Sequence, residues 1–270
     1  MRPQIDIVIP SRGPARSRSL LLSDLDAQMA LLPDVATLCV CEGASAARNR
    51  NSGARQGKAQ WIAFLDDDVR LAPGWLSTLN VIITRGAGFD VLSGSITSTR
   101  PANVFSQAAE DFVVRHKRYG SQWYLVGAML VVTRSAFEAI GGFDEAFVGA
   151  GGEDWDFCSR AHRLGLRVGV IPELRCSHAN PTTLRGLMRR ASSYGASEPA
   201  PSMSSDASPS SITGREFRGS LVARVVSWPI REYADLRKRG RSRIRALTST
   251  VIYIPWMARY LWVRRSTVSS

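Results

Sequence analysis

The chain has few cysteines, a shortage of acidic residues and no long apolar run. Its cysteines, Cys39, Cys41, Cys158 and Cys176, are scattered over 270 residues. This excludes a disulfide-rich scaffold and is typical of reduced, buried thiols in a cytosolic protein. The Cys39 and Cys41 pair has no second pair at a zinc-ligand spacing, so we expect no structural zinc. No stretch of about 20 apolar residues occurs, so we expect no ordinary membrane-spanning helix.

The basic excess is concentrated at one end of the chain. The sequence contains 35 Lys and Arg against 23 Asp and Glu, a formal net charge of +12. Residues 215–270 contain 13 of these basic residues and 3 of the acidic ones, so residues 1–214 are nearly neutral. A basic segment attracts polyanions, which are either nucleic acid or the anionic inner leaflet of a membrane.

Apolar runs and helical patterns alternate along the first part of the chain. Strands are predicted at residues 5–9, 37–41, 61–65 and 89–92, and helices at residues 20–32, 44–57 and 74–84. Further on, the pattern predicts strands at 123–133 and 167–171, the second ending before Pro172, and helices at 135–140 and 153–164. Residues 95–118 show no readable pattern. The alternation favours an α/β fold with a mostly parallel sheet flanked by helices.

Composition divides the chain into three parts. Residues 1–194 form the α/β domain, and residues 195–214, rich in Ser, Pro and Ala, are a flexible linker. Residues 215–270 form a basic, aromatic-rich helical tail, whose Arg, Trp and Tyr suit a segment lying on an anionic leaflet. We therefore expect a cytoplasmic protein, peripheral on the inner face of the cell membrane. The alternative is a C-terminal helix docked on the body, with its arginines solvated.

Three consecutive carboxylates, Asp66, Asp67 and Asp68, directly follow a predicted buried strand. Mutual repulsion raises the pKa of each carboxyl unless a positive charge lies nearby. A divalent cation that prefers oxygen ligands, such as Mg²⁺, is one partner for them. The alternative is a solvated turn that caps the next helix.

Other residues have both a structural and a functional interpretation. Glu153 and Asp154 open a predicted helix, where they complement its dipole or place a general base at a site. His178 follows the last predicted strand and is either structural or a ligand. Arg48, on the helix before the aspartate triplet, either holds a phosphate or lies on the surface.

The order of these motifs resembles glycosyltransferase family 2, whose members have the GT-A fold. The motifs that carry this resemblance are SAARNRNSGARQGKAQWIAFLDDDVRLAPGWL (45–76), VGAMLVVTRSAFEAIGGFDEAF (126–147) and GGEDWDFCSRAHRLGLRVGVIPE (151–173). The resemblance covers about residues 5–180. It implies a Rossmann-like, mixed and mostly parallel sheet flanked by helices, with the basic tail as an extension.

The resemblance also implies a reaction and a set of site residues. A UDP-, GDP- or dTDP-linked sugar would pass to a hydroxyl of a glycan or lipid-linked acceptor of the cell envelope, with inversion. Asp154 would be the catalytic base, while Asp68 and His178 would bind Mg²⁺ or Mn²⁺. The nucleotide-sugar site would comprise Pro10, Ser11, Arg12, Glu42, Arg48, Asp66 and Asp67. The acceptor side would comprise Gly127, Ala128, Glu153 and Trp155, the last chosen for its residue type.

The sequence departs from the family in one region. Only one strand fits between the first strand and the Ala47-Arg48-Asn49 helix, so one helix–strand unit is missing or compressed. Glu42 stands where the family has an aspartate that holds base and ribose. Two alternatives therefore stay open: a non-catalytic relative that binds a glycan or nucleotide, and a polyanion-binding protein acting through its tail. The tail carries no nucleic-acid-binding motif, so no nucleic acid partner is expected.

Overall fold

The structure is a computed structural model that describes residues 4–11, 18–43, 45–99, 102–148, 151–197 and 221–268. Arg12 and most of the predicted linker, from residue 198, lie outside the described residues. The predicted boundary at residue 194 falls inside a helix, Leu184–Ser197.

The described residues form strands and helices in alternation, followed by helices alone. The strands are β1 (Ile5–Ser11), β2 (Ala36–Glu42), β3 (Trp61–Leu65), β4 (Val69–Leu71), β5 (Val91–Ser98), β6 (Lys117–Tyr119), β7 (Gln122–Tyr124), β8 (Met129–Thr133) and β9 (Val168–His178). The helices are α1 (Ser19–Met29), α2 (Ala46–Gln56), α3 (Trp75–Thr84), α4 (Val104–Phe112), α5 (Arg134–Ile140), α6 (Glu153–Arg163), α7 (Leu184–Ser197), α8 (Leu221–Lys238) and α9 (Arg243–Val268).

Seven strands form one mixed sheet in the order β2-β1-β3-β8-β5-β9-β4. The pairs β1/β2, β1/β3 and β5/β9 are parallel, whereas β8 and β4 run antiparallel to their neighbours. Five of these seven strands therefore point the same way, which confirms the predicted α/β class. The short strands β6 and β7 form a separate hairpin.

Helices cover both faces of the sheet, so the central strands are buried on both sides. One apolar layer includes Leu25 of α1 and Trp75 of α3. The other includes Phe64 of β3, Phe137 of α5 and Phe157 of α6. Strands buried on two faces have continuous apolar sequences rather than alternating ones, which is why β1 and β3 were readable from the sequence.

The predicted long strand over residues 123–133 is wrong, because the chain breaks into β7 and β8 around a loop at residues 125–128. The loop is held by the Val126 N–H, which donates to Nδ1 of His116 at 3.0 Å, and by the Gly127 N–H, which donates to Asp154 at 2.8 Å. Burial lowers the pKa of His116 to about 4, so its ring stays neutral and Nδ1 accepts. In a sequence, the apolar residues of a buried loop cannot be distinguished from those of a buried strand.

The strand predicted to end before Pro172 is also wrong, because β9 continues through Pro172 to His178. The register against β5 shifts between Ser93 and Ser95, so an irregularity accommodates the proline, which has no N–H to donate. Because β9 is longer than predicted, His178 lies at the end of the sheet where the parallel strands have their carboxyl ends. Residues 95–118, which had no readable pattern, contain the end of β5, helix α4 and the start of β6.

The tail is docked on the body through a third apolar core. Tyr253 and Trp256 of α9 pack with Phe112 of α4 and with Leu187 of α7. Helix α9 continues through Pro255, and none of the described helices combines the length and apolar character that crossing a membrane requires.

Part of the tail's positive charge is also used in this docking. Asp111 of α4 is buried and accepts hydrogen bonds from Arg241 Nε and Ser249 Oγ, each at 2.9 Å. Arg245 donates to Asp111 at 2.9 Å and to Glu110 at 2.8 Å. The expectation that a docked tail would leave its arginines solvated is therefore wrong for Arg241 and Arg245.

Candidate active site

A cavity of 610 Å³ lies where the strands β1 and β3 end. Carboxyl ends of parallel strands meet at one sheet edge, and ligands of open α/β sheets bind there. The predicted site residues that line this cavity are Pro10, Asp66, Asp67, Asp68, Gly127, Ala128, Glu153, Asp154 and His178. The structure thus brings together residues that are up to 168 positions apart in the sequence.

Asp66, Asp68 and His178 form a candidate metal site. One ligand atom from each of the three lies within 4.8 Å of the others. Nε2 of His178 is 3.2 Å from Oδ1 of Asp68. Burial raises the pKa of Asp66, and the neighbouring charge of Asp68 raises it further, whereas the Arg50 guanidinium lowers it. A cation between these groups would relieve the repulsion.

A second layer of polar groups orients His178. Its Nδ1 lies 3.1 Å from Oδ1 of Asn180, which also accepts a hydrogen bond from Arg190. Nδ2 of Asn180 donates to Ser98 Oγ at 3.0 Å, which fixes the amide orientation. An amide oxygen only accepts, so Nδ1 of His178 donates this hydrogen bond. Metal-binding histidines are oriented by such contacts, so the donor set fits a divalent cation.

Arg50 connects the candidate metal site to the start of α6, and the sequence analysis missed it. Its Nη2 donates to Asp66 at 2.7 Å and its Nη1 donates to Glu153 at 2.8 Å. Burial lowers the pKa of this guanidinium, but the two carboxylates raise it by more, so it stays charged. Gly127 lies against it, because a Cβ there would be 3.0 Å from Nη2 of Arg50. The absence of a side chain at this position lets the β7–β8 loop approach the ion pair.

The arginine predicted for this site, Arg48, does not line the cavity. It is exposed on α2 and pairs with Glu145 at 3.5 Å. Residues two apart on an α-helix point in nearly opposite directions, so Arg48 and Arg50 cannot share a face. Arg50 lies with Asn49 on the buried face of α2, so Arg50 reaches the cavity and Arg48 does not.

Asp154 lies in the first turn of α6 and lines the same cavity as the metal cluster. Its carboxylate accepts hydrogen bonds from the Gly127 N–H at 2.8 Å and the Trp155 N–H at 2.9 Å. Burial, followed by the charge of Glu153, raises the pKa of Asp154 to about 7. Glu153 is buried and accepts from Arg50 and from the Gly151 N–H. Both carboxylates line the cavity, but Glu153 is held in an ion pair with Arg50 whereas Asp154 accepts from backbone N–H groups.

Helix α7 adds a basic wall that the sequence analysis did not identify. Arg189, Arg190 and Tyr194 line the cavity with the aspartates. The ring of Tyr194 lies against Gly151, where a Cβ would meet it at 2.9 Å. The resemblance ends near residue 180, so only the Arg-Arg pair itself could have indicated this wall.

Three further predicted residues lie outside the lining of this cavity. Ser11 donates to Asp67 at 2.6 Å. Glu42 is exposed, does not line the cavity and pairs with Arg18. Trp155 lines an adjoining cleft rather than the cavity itself.

Two known proteins resemble this chain, one in sequence and one in structure. The chain is 27% identical over 224 residues to the pre-mycofactocin glycosyltransferase of Mycobacterium tuberculosis, found in strains CDC 1551 / Oshkosh and H37Rv. The match covers 72% of this chain and 46% of those proteins, so the chain spans about half the length of the curated relatives it matches. A mannosyltransferase from Pyrobaculum calidifontis, solved with GDP-Man and Mn²⁺, superimposes with a TM-score of 0.53 at 15% identity. The superposition covers 100% of this chain and 88% of the mannosyltransferase, which confirms the GT-A fold.

The family model described as glycosyl transferase family group 2 matches residues 61–263. This range includes the aspartate triplet, Asp154, His178 and most of the docked tail. The chain belongs to glycosyl transferase family group 2.

Proposed function

We propose that this chain is a metal-dependent, inverting glycosyltransferase that moves a sugar from a nucleotide sugar to an acceptor hydroxyl. The observation that carries the proposal is one cavity that is lined both by a candidate cation site and by a carboxylate of raised pKa. Family membership and the GT-A fold support it, and the relatives named above transfer sugars.

On the donor side, Asp68 and His178 would hold Mg²⁺ or Mn²⁺, with Asp66 beside them. When bound, the cation neutralises the charge that develops on the leaving diphosphate. Arg189 and Arg190 supply positive charge on the facing wall, where guanidinium groups suit phosphate oxygens. Pro10, Ser11 and Asp67 lie at the end of β1 and β3, where the nucleoside would bind.

On the acceptor side, Asp154 would remove the proton of the attacking hydroxyl. A general base works best when its pKa lies near the operating pH, and the pKa of Asp154 is raised to about 7. Gly127 and Ala128 form the wall between the base and the donor side. Attack on the face of the sugar opposite the diphosphate inverts the anomeric carbon.

A thermal-shift panel tests this proposal. UDP-, GDP- and dTDP-sugars are each added with Mn²⁺ and with EDTA, to wild type and to Asp68→Asn. We expect one nucleotide class to raise the Tm, and EDTA or Asp68→Asn to abolish the shift. Arg48→Ala serves as the matched control, because Arg48 lies outside the cavity, and should respond like wild type. A donor shift that persists in EDTA would refute the metal assignment, and no shift with any donor would favour the non-catalytic alternative.

We also propose that α9 rests on an anionic membrane surface in the cytoplasm. Its outer face carries an apolar stripe at helical spacing that consists of Ile244 (78% exposed), Leu247, Val251 (56% exposed), Ile254 and Leu261. Exposed basic residues precede the stripe along the chain, at Arg237 and Lys238 of α8 and at Arg243 of α9. Apolar stripes flanked by cations bind at the interface of anionic bilayers.

Vesicle flotation tests the membrane assignment. Wild type should float with vesicles containing phosphatidylglycerol, and Leu247→Glu with Val251→Glu should remain in the soluble fraction. Val81→Glu, on the exposed face of α3, is the matched control and should float like wild type. Flotation of the double variant would place membrane contact elsewhere.

A further inference from the structure

A small second cleft opens beside Asp154 and is lined by aromatic side chains of the tail. Its volume is 140 Å³. Its lining includes Trp155, Tyr194, Tyr253, Trp256 and Tyr260. The cleft shares Val126, Gly151, Asp154 and Tyr194 with the main cavity, so the two spaces meet at the proposed base.

The rings on one wall of the cleft form a stack. Phe112 stacks on Tyr253 with ring centroids 4.3 Å apart, and Tyr253 stacks on Trp256 at 4.8 Å. Trp256 in turn stacks on Tyr260 at 5.6 Å, with their planes 8° apart. The ring of Tyr194 meets Trp256 edge to face at 6.1 Å. Because Tyr253 and Tyr260 cover the faces of Trp256, another aromatic ring would pack against this wall edge to face.

One polar group in this wall has no partner. Nε1 of Trp256 is buried and has no hydrogen-bond partner within the described part of the chain. The Trp256 residue is only 5% exposed. A buried N–H without a partner costs free energy, so the packing of the neighbouring rings holds Trp256 in this position.

The size of the cleft restricts its occupant. An apolar cavity of roughly 150 Å³ accommodates one benzene ring. A cleft of 140 Å³ therefore has room for one aromatic ring.

We infer that the acceptor carries an aromatic ring, which binds in this cleft against Trp256 and Tyr260 and presents its hydroxyl to Asp154. The inference rests on the proposed function. In the step, the acceptor oxygen forms a bond to the anomeric carbon of the donor sugar as the bond from that carbon to the diphosphate oxygen breaks. The hydroxyl proton passes to Asp154, and the nucleoside diphosphate leaves with the electron pair. The tail is thus part of the acceptor site.

Ligand-observed NMR with three matched probes tests the inference in the full chain. The probes are phenyl, methyl and octyl β-D-glucopyranoside. We expect the phenyl glucoside to bind at least about ten-fold more tightly than the methyl glucoside, because only its ring fills the cleft. Equal binding of the two, or stronger binding of the octyl glucoside, would overturn the inference.

Variants place the probe in the cleft. Trp256→Phe keeps a ring but reduces its contact area, and should weaken phenyl glucoside binding about two- to ten-fold. Tyr260→Leu, at the half-buried end of the stack, removes a stacking face without emptying the core and should weaken binding similarly. Trp123→Phe is the matched control, because Trp123 lies on the β6–β7 hairpin and does not line the cleft. Unchanged affinity in both cleft variants would refute the inference.

The donor shift is measured in the same samples and separates the two proposals. A normal donor shift with no preference for the phenyl glucoside would refute the aromatic acceptor and leave the transferase proposal standing. Absence of any donor shift would refute the transferase proposal, and the acceptor role of the cleft would then be refuted as well.

Discussion

The raised pKa of Asp154 makes a quantitative prediction for the rate of transfer. A base with a pKa of about 7 is about one tenth ionised at pH 6 and about nine tenths ionised at pH 8. With saturating Mn²⁺ and donor, kcat/KM for the acceptor should therefore rise about ten-fold between these values. An aspartate at its ordinary pKa of 3.8 would give a level profile over the same range.

The groups around Asp154 do not produce this titration themselves. Burial raises the pKa values of Cys158 and Tyr194 to about 12, above the tested range. Arg50 remains a cation throughout, and Glu153 is bound to it. These four groups are consequently not the source of a change in rate between pH 6 and 8.

The assay follows release of the nucleoside diphosphate, and Asp154→Asn is the reference variant. The variant should keep the donor-induced Tm shift and lose transfer at every pH, because its amide cannot accept the proton. A level wild-type profile between pH 6 and 8, or a variant that turns over normally, would refute the assignment of the base.

Stability gives an independent measure of the same group. The folded-state pKa of Asp154 is raised, so its contribution to stability is complete below its ordinary pKa and is lost as the pH rises through about 7. Asparagine does not titrate, so the Tm of Asp154→Asn should fall less than that of wild type between pH 6 and 8. Parallel Tm curves would contradict the raised pKa.

Two further predictions concern ion pairs. Arg50→Met leaves Glu153 buried without its cation and should lower the free energy of unfolding by about 3–5 kcal/mol in urea, whereas the exposed Arg48→Met should change it by less than about 0.5 kcal/mol. Equal losses would contradict the assigned burial of the two arginines. Burial raises the pKa of Glu110, but hydrogen bonds from the Ser98 N–H and Arg245 lower it by more. The stability that Glu110 adds is therefore present above pH 4.5 and lost as the pH falls, so Glu110→Gln should flatten the acid side of the Tm curve. An unchanged acid limb would show that this carboxylate does not hold the tail.

Much of the candidate site could be predicted from the sequence, because its chemistry is encoded locally. The aspartate triplet lies at the end of a strand whose apolar run is unmistakable, and Asp154 opens a helix after two glycines. Both positions follow from a strand or helix boundary, and the structure places both in one cavity. Their catalytic roles stay predictions.

The features that the sequence analysis missed depend on tertiary contacts. The choice of Arg50 over Arg48 is made by which face of α2 is buried, and the break between β7 and β8 is made by a hydrogen bond to His116. The course of β9 through Pro172 needs a register shift against β5 that no local pattern encodes. Such contacts join distant residues, so a single sequence carries little signal for them.

The docking of α9 has a consequence for dividing this chain into modules. Helix α9 buries Tyr253 and Trp256 against α4 and α7, and α4 holds it further through Asp111. Truncation after α7 would expose this apolar face and leave Asp111 without Arg241 and Arg245. Grafting acceptor preference between members of the family would therefore require moving α4, α7 and α9 together as one block, because each of these helices completes the packing of the other two.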